Sequence, residues 1–256
     1  MRKLLLGMLS VGFLLTMGQT ITVSHDKSGN VVSRLAGLRV VRGLVLVGIA
    51  GFWRGVFKHR NVFSSMWKSI KNSAMIYSGL FALDKNKSLG GKIMQFVNRF
   101  TWEFPQTAVG EFFSLASNVF GDVDVVKHYR GATYVVREEA NKSKGVTLGS
   151  FINIWDEHTL PRNAEGKFSF SDDVVGDNSR YMYMHEYGHY LQSQIFGPVW
   201  LLSHGVPSLV SAIKANFKKG YRHREYWTER DANRRANGYF QKFGVISKWD
   251  SDNYPL

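Results

Sequence analysis

The sequence predicts an α+β fold that is mainly α-helical, with a small β hairpin or sheet before a helix that carries a histidine motif. Apolar residues recur at helical spacing over much of the chain, and two short segments within residues 132–154 have the composition of strands. An apolar fraction of 44% with 14% aromatic residues is typical of a folded globular protein. At 256 residues, the chain has room for one full-sized domain preceded by a shorter segment.

The positive charge is concentrated in the N-terminal part of the chain. The net charge is +13, and residues 1–100 contain 15 Lys and Arg against two acidic residues, Asp26 and Asp84. Residues 101–256 contain 18 basic and 18 acidic residues, which cancel. A basic region of this kind favours an anionic partner. Because aliphatic runs separate its aromatic residues and no recognition motif is present, we expect an anionic membrane surface to bind residues 21–100 and expect no nucleic acid.

The N-terminal region divides into two predicted parts. Residues 1–20 have a short basic start and an apolar run, which is typical of a signal peptide or an N-terminal membrane anchor. Residues 21–90 form a basic, apolar and helical region, and the charge composition changes near residue 90. These features favour a cell-envelope location, membrane-associated or secreted, over a cytoplasmic one. A domain is predicted over residues 91–256.

Residues 62–76 predict an amphipathic helix with basic side chains beside its apolar stripe. Two interpretations stay open: a helix packed on the core with a solvated basic face, or a helix that contacts a membrane surface. Farther along, residues 93–120 have helical spacing that is interrupted at Pro105, which predicts two helices.

The strand-like segments are residues 132–137 and 146–154, joined by a turn-forming stretch over 139–145. This arrangement predicts a hairpin. Residues 156–178 are polar and locally acidic, which predicts a surface loop.

A helix is predicted over about residues 179–196. Asn178 or Ser179 is a suitable N-cap, and Gly197 followed by Pro198 stops the helix. This helix contains the sequence His-Glu-Tyr-Gly-His at residues 185–189, an H-E-x-x-H motif.

The motif has the spacing of a zinc site. His185 and His189 are four residues apart, so both imidazoles lie on one helix face and can bind one zinc ion. Glu186 lies beside the metal position and can take a proton from the water that zinc activates. The chain contains no cysteine, so any metal must be held by His, Asp or Glu.

A catalytic zinc needs a third protein ligand. Residues 190–195 contain neither the Gly nor the His of the metzincin pattern, whereas residues 227–240 have helical spacing. Glu229 lies on one face of that helix with small alanines that allow close packing, which makes it the predicted third ligand. Asp231 and His204 remain alternative ligands.

The pattern His185-Glu186-x-x-His189 followed by Glu229-x-x-Ala232-Asn233 resembles the gluzincin zinc metallopeptidases, over about residues 178–240. The resemblance implies a zincin-like metallopeptidase core, Zn²⁺ as cofactor and a peptide or protein substrate. Many gluzincins have Asp at the end of the second motif, where it bonds a ligand histidine. Here Asn233 takes that place, and its amide oxygen can accept from an imidazole N–H but increases ligand basicity less.

The resemblance also implies a Tyr or His opposite the zinc that stabilises the oxyanion. The first candidate is His223, with Tyr221 and Tyr226 as alternatives. The segment 146–154 is either the edge strand that binds an extended peptide by strand addition or a plain core hairpin.

Three functions follow from these observations. The first is zinc-dependent hydrolysis of peptide bonds. The second is a catalytically weak or inactive zincin-like module that binds a membrane or a partner, which the Asn233 departure supports. The third is a peptidase toxin or effector whose N-terminal segment serves translocation.

Overall fold

The computed structural model describes residues 30–58, 61–139, 143–158, 170–175 and 181–245. The predicted signal or anchor over residues 1–20 and the N-cap candidates Asn178 and Ser179 lie outside these ranges. The described residues form two compact units, one up to Ala74 with Ser117–Asp122, the other Met75–Ala116 with the residues from Val123 onward. The boundary near residue 90 rests on charge composition and stays a prediction.

The first unit contains the long helix α1 (Asn30–Phe57), most of α2 (Val62–Ser78) and the end of α4 (Phe104–Phe120). The helix predicted over residues 62–76 is confirmed as α2. Asn118 ties this unit together, because its amide donates to Ser69 O and Ser73 Oγ, each at 2.8 Å. In the described parts of the chain, no helix combines the length and the hydropathy needed to cross a bilayer.

In the second unit, α3 (Leu89–Phe100) precedes α4. The two helices predicted over residues 93–120 are confirmed, with the break at residues 101–103. Pro105 lies in the first turn of α4 rather than in the break, where its missing N–H removes no helical hydrogen bond.

A four-stranded sheet follows, made of β1 (Val125–Tyr129), β2 (Ala132–Glu138), β3 (Lys144–Leu148) and β4 (Phe151–Asp156). The strand order is β1-β2-β4-β3. β2 pairs antiparallel with β1 and parallel with β4, with Thr133 opposite Phe151, and β3 pairs antiparallel with β4. β3 therefore lies at an edge of the sheet.

The predicted hairpin between residues 132–137 and 146–154 is wrong. The second segment contains parts of two strands, because the chain reverses at Gly149, whose φ of +58° is a left-handed conformation that favours glycine. The apolar pattern continues through this turn, so composition alone did not reveal the reversal. β1 was not predicted.

The remaining helices are α5 (Asp172–Val175), α6 (Tyr181–Phe196), α7 (Val206–Phe217) and α8 (Trp227–Lys242). α5 is a short helix inside the predicted loop, and α6 ends at Phe196 as predicted. α6 packs against the sheet and against α8, around a core that includes Tyr134, Tyr187 and Phe240. The mainly helical α+β fold with a small sheet is confirmed.

Candidate metal centre

α6 brings three side chains of the motif to one place inside the second unit. His185, Glu186 and His189 are 4%, 4% and 7% exposed, respectively. The two histidines lie one helical turn apart, with their ring centroids separated by 4.8 Å. Buried imidazoles and a buried carboxylate need partners, since a polar group without one destabilises the fold.

α8 supplies the partner of both histidines. Oε2 of Glu229 lies 3.1 Å from Nε2 of His185 and 3.1 Å from Nε2 of His189. The three ligand atoms lie within 4.8 Å of one another, and all three residues are buried. The structure therefore contains a His–His–Glu group that could bind a metal ion.

Small residues bring α6 and α8 close enough for this contact. A Cβ placed on Gly188 would lie only 2.1 Å from the carbonyl oxygen of Ala232. The glycine inside the H-E-x-x-H motif and the alanine of α8 thus let the two backbones touch. This backbone contact, next to the residues of the His–His–Glu group, sets the distance between α6 and α8.

The second ring nitrogen of each histidine, Nδ1, also has a hydrogen-bond partner. Nδ1 of His185 lies 2.5 Å from Oδ1 of Asn233, and Nδ1 of His189 lies 2.9 Å from Oε1 of Gln192. Both acceptors are amide oxygens, so each Nδ1 carries a hydrogen and each Nε2 faces Glu229. Such outer contacts orient imidazoles for metal binding.

Gln192 connects the two helices as well. Its Nε2 donates to Thr228 O at 2.8 Å and to Oδ2 of Asp231 at 2.9 Å. These bonds fix which end of the amide faces His189. Gln192 was not identified from the sequence, although its position three residues after His189 on one helix was a usable signal.

Glu229 is held in its ionised form. Its Oε1 accepts from Ser208 Oγ at 2.6 Å and from Thr228 Oγ1 at 2.8 Å. Burial acts to raise the pKa of Glu229, but the two histidines and their hydrogen bonds outweigh it and hold the pKa far below its usual range. Burial likewise acts to lower the pKa of His189, and Glu229 reverses this and raises the pKa to about 9.

Glu186 is held against the edge strand. Thr147 Oγ1 on β3 donates to Oε2 of Glu186 at 2.6 Å and also lies 3.0 Å from the backbone oxygen of Glu186. A Cβ placed on Gly145 would lie 2.3 Å from Oε1 of Glu186, so only glycine leaves room for the carboxylate there. Thr147 and Gly145 were not identified from the sequence, because only the tertiary structure places β3 over α6.

The distances from Glu229 to the two histidines are compatible with a bound metal ion. Bonds of about 2.0–2.1 Å to a tetrahedral zinc separate neighbouring ligand atoms by roughly 3.3 Å, close to the 3.1 Å observed from Glu229 to each histidine. Two imidazoles and one carboxylate form a set that catalytic zinc sites use. The three residues and Glu186 line a cavity of about 850 Å³.

The structure places His223 beside the same group. It begins the short 3₁₀ turn His223–Glu225, lines the cavity, and its Nε2 lies 3.6 Å from Oε2 of Glu229. Its Nδ1 lies 3.0 Å from Ser211 Oγ, which in turn lies 2.9 Å from the hydroxyl of Tyr221. Burial lowers the pKa of His223, opposed by Glu229. Tyr221 thus reaches the site through Ser211, whereas Tyr226 does not line the cavity.

The alternative ligands lie elsewhere. Oδ2 of Asp231 accepts from Arg235 Nε at 2.6 Å as well as from Gln192. The His204 ring packs against Phe196 with ring centroids 4.1 Å apart, and Nδ1 of His204 lies 2.8 Å from Ser203 Oγ. Neither belongs to the metal-binding group found among the described residues.

Comparison with protein-family models, with curated proteins and with solved structures gives no match.

Proposed function

We propose that this protein is a zinc-dependent hydrolase of peptide bonds with a zincin-like core of the gluzincin kind. One observation carries the proposal: a buried His185–His189–Glu229 group at the wall of an open cavity, with Glu186 held beside it. A site of purely structural zinc would use all four positions for protein ligands. Three ligands and a neighbouring carboxylate favour catalysis.

His185, His189 and Glu229 would hold the zinc. When bound, zinc would polarise the scissile carbonyl and make a water molecule acidic near neutral pH. Glu186 takes the proton of the attacking water and returns it to the leaving amine. The hydrogen bond from Thr147 fixes one oxygen of Glu186 and leaves the other to accept that proton.

His223 is proposed to stabilise the oxyanion. The hydroxyl of Tyr221 can donate to Ser211, whose hydroxyl then donates to Nδ1 of His223. In that arrangement the neutral imidazole carries its hydrogen on Nε2, which faces the cavity beside Glu229. The lowered pKa of His223 supports the neutral form. An N–H donor there can bind the developing negative charge.

An extended peptide is the substrate that the cavity favours. Residues 143–148 line it, and β3 is an edge strand with one side unpaired in the sheet. A peptide can add to such an edge through backbone hydrogen bonds. Its scissile bond would then lie over the group that includes Glu186.

The first test combines metal content with hydrolysis. We expect wild type to retain about one zinc per chain and to cleave quenched fluorogenic peptides of mixed sequence. Glu186→Gln should retain zinc and lose at least about a hundredfold in cleavage, because the general base is removed. Glu229→Ala should lose both.

Glu225→Gln is the matched control, since Glu225 is exposed and pairs with Arg222 at the surface. It should retain zinc and activity. Full cleavage by Glu186→Gln would refute the mechanism. Absence of zinc after reconstitution of wild type would favour the non-enzymatic binding module.

A further inference from the structure

A second feature of the molecule lies on the outer side of residues 195–224. Apolar side chains recur there every three or four residues, on the helical backbone that ends with α7. Their exposed fractions run from 47% for Ile213 to 85% for Phe217. The apolar stripe, as we name it, consists of Val199, Leu202, Val206, Leu209, Val210, Ile213 and Phe217.

The stripe shares a helix with the candidate site. The opposite side of α7 carries Ser208, bonded to Glu229, and Ser211, beside His223. Val206 and Leu209 belong to the stripe and also line the cavity. The mouth of the cavity therefore opens next to the stripe.

The apolar surface extends beyond α7. The indole N–H of Trp102 donates to Ile195 O at 3.3 Å, and a Cβ placed on Gly197 would lie 2.2 Å from the Trp102 ring. Trp102 and Ile195 are 46% and 53% exposed. Their contact brings two more exposed apolar side chains to residues 195–197, which precede Val199 in the chain. An exposed apolar surface of this extent marks an interaction site.

The charged residues within the segment that carries the stripe have one sign. Residues 197–224 contain no Asp or Glu, but five basic residues: Lys214, Lys218, Lys219, Arg222 and Arg224. Arg222 pairs with Glu225 at the surface, and the ammonium of Lys214 lies 4.8 Å from the Tyr221 ring centroid. Lys218 and Lys219 directly follow Phe217, the most exposed side chain of the stripe. The partner that complements this segment is apolar and anionic.

We propose that the apolar stripe docks on an anionic lipid membrane. An exposed apolar helix face with flanking Lys and Arg is typical of helices that lie in the head-group region. Phe217 would enter the acyl boundary while the neighbouring lysines reach the phosphates. This contact differs from the one expected for residues 21–100, since it involves residues 199–219 and borders the cavity.

The docking itself does not depend on hydrolysis. If the proposed function also holds, the mouth of the cavity lies at the lipid surface, and the substrates are peptide segments that emerge from or lie on a membrane. The test below measures docking without any substrate, so the two proposals can fail separately.

Because the chain contains no cysteine, one introduced thiol can report on one position of the full-length protein. Leu202→Cys and Phe217→Cys are labelled with an environment-sensitive fluorophore and mixed with vesicles. Phosphatidylcholine vesicles with a quarter of phosphatidylglycerol should raise the emission several-fold and shift it to the blue. Pure phosphatidylcholine should give a much smaller change, and high salt should weaken the response.

Two matched labels serve as controls. Gly238 on α8 is exposed, and a Cβ placed there would meet no atom of another part of the protein within 4 Å. A label on Gly238→Cys should therefore not respond. Phe63 on α2 is 69% exposed, and a label on Phe63→Cys reports on the region 21–100 that the sequence predicts to contact a membrane. A response at residue 63 without one at residues 202 and 217 would overturn the proposal. So would a response at residue 217 that depends on protein concentration without lipid, which would indicate a second copy.

Binding supplies an independent measurement. The triple variant Leu202→Ser, Val210→Ser, Phe217→Ser should bind the anionic vesicles at least about tenfold more weakly in a flotation assay, because three apolar side chains are removed from the contact. The variant Phe63→Ser, Trp67→Ser removes exposed aromatic residues of α2 and should bind more tightly than the triple variant. Equal binding of the triple variant and wild type would overturn the proposal.

Discussion

α6 and α8 differ from α7 in almost every physical respect, although all three border one cavity. Eleven of the sixteen residues of α6 are buried, whereas Ser211 is the buried residue of α7. α6 and α8 touch through small residues and hold their polar side chains in mutual hydrogen bonds. α7 contributes serines on one side and leaves an apolar stripe in solvent on the other.

The helices therefore meet two different requirements of one site, precise placement of metal ligands and an exposed docking surface. Metal ligands must be held within a few tenths of an ångström, and close packing of two helices provides that precision. A docking surface instead needs exposed side chains that stabilise nothing inside the molecule. Substitutions should therefore be costly between α6 and α8 and nearly neutral on the outer side of α7.

The largest effect is expected at the contact between α6 and α8. Gly188→Ala would place a methyl group against the backbone of Ala232, which cannot move aside as a side chain can. We expect the free energy of unfolding to fall by at least about 2 kcal/mol, with loss of zinc, because the helices must separate. Gly238→Ala on α8 is the control and should leave stability unchanged or raise it by up to about 1 kcal/mol. Chemical denaturation measures both, and an unaltered Gly188→Ala protein would contradict the close contact.

The next effect concerns the hydrogen bond behind His185. Asn233→Ala removes the acceptor of its Nδ1–H and should weaken zinc affinity by about 10–100-fold. Asn233→Asp restores an acceptor with full charge and should bind zinc at least as tightly as wild type. Competition with a chelator measures the affinity, and Arg234→Ala, an exposed change on the same helix, is the control. Unchanged affinity in Asn233→Ala would show that the contact does not support the ligand.

A pH dependence follows from the raised pKa of His189. In the metal-free protein this pKa is about 9, against about 6.5 in the unfolded chain. The folded form holds the proton more tightly, so the stabilisation is fully present below about pH 6.5 and is lost as the pH rises through about 9. Zinc must displace this proton, so its affinity should rise with pH over the same interval.

Thermal unfolding and zinc titration between pH 6 and about 9.5 check these opposite trends. Glu229→Ala removes the carboxylate that raises the pKa of His189, so its stability should lose this dependence in the alkaline range. A metal-free wild type whose Tm does not fall over that interval would contradict the predicted coupling.

The smallest effect is expected on α7. Phe217→Ser should change the free energy of unfolding by no more than about 0.5 kcal/mol, because the side chain is 85% exposed. Phe240→Ala in the core should instead lower it by about 3–5 kcal/mol. A strongly destabilised Phe217→Ser protein would mean that the stripe is buried against another part of the molecule.

The sequence predicted the helices better than the sheet. Helical spacing over residues 62–76, 93–120 and 179–196 corresponds to α2, to α3 with α4, and to α6. Each of these patterns is local, since it depends on residues within one or two turns. The parallel pairing of β2 with β4 joins segments that are not adjacent in the chain, so a local pattern does not predict it. Gly149 alone marked the chain reversal between β3 and β4.

By itself the sequence determined the chemistry available to this protein. His185 and His189 lie one turn apart in any helix, Glu186 lies between them, and the absence of cysteine leaves only oxygen and imidazole ligands. Tertiary structure decided that Glu229 rather than Asp231 or His204 meets the histidines, that Thr147 holds Glu186, and that the apolar side of α7 faces outward. The physical reason is one of range: a helical period fixes neighbours along a segment, whereas contacts between segments depend on packing, which only the complete fold specifies.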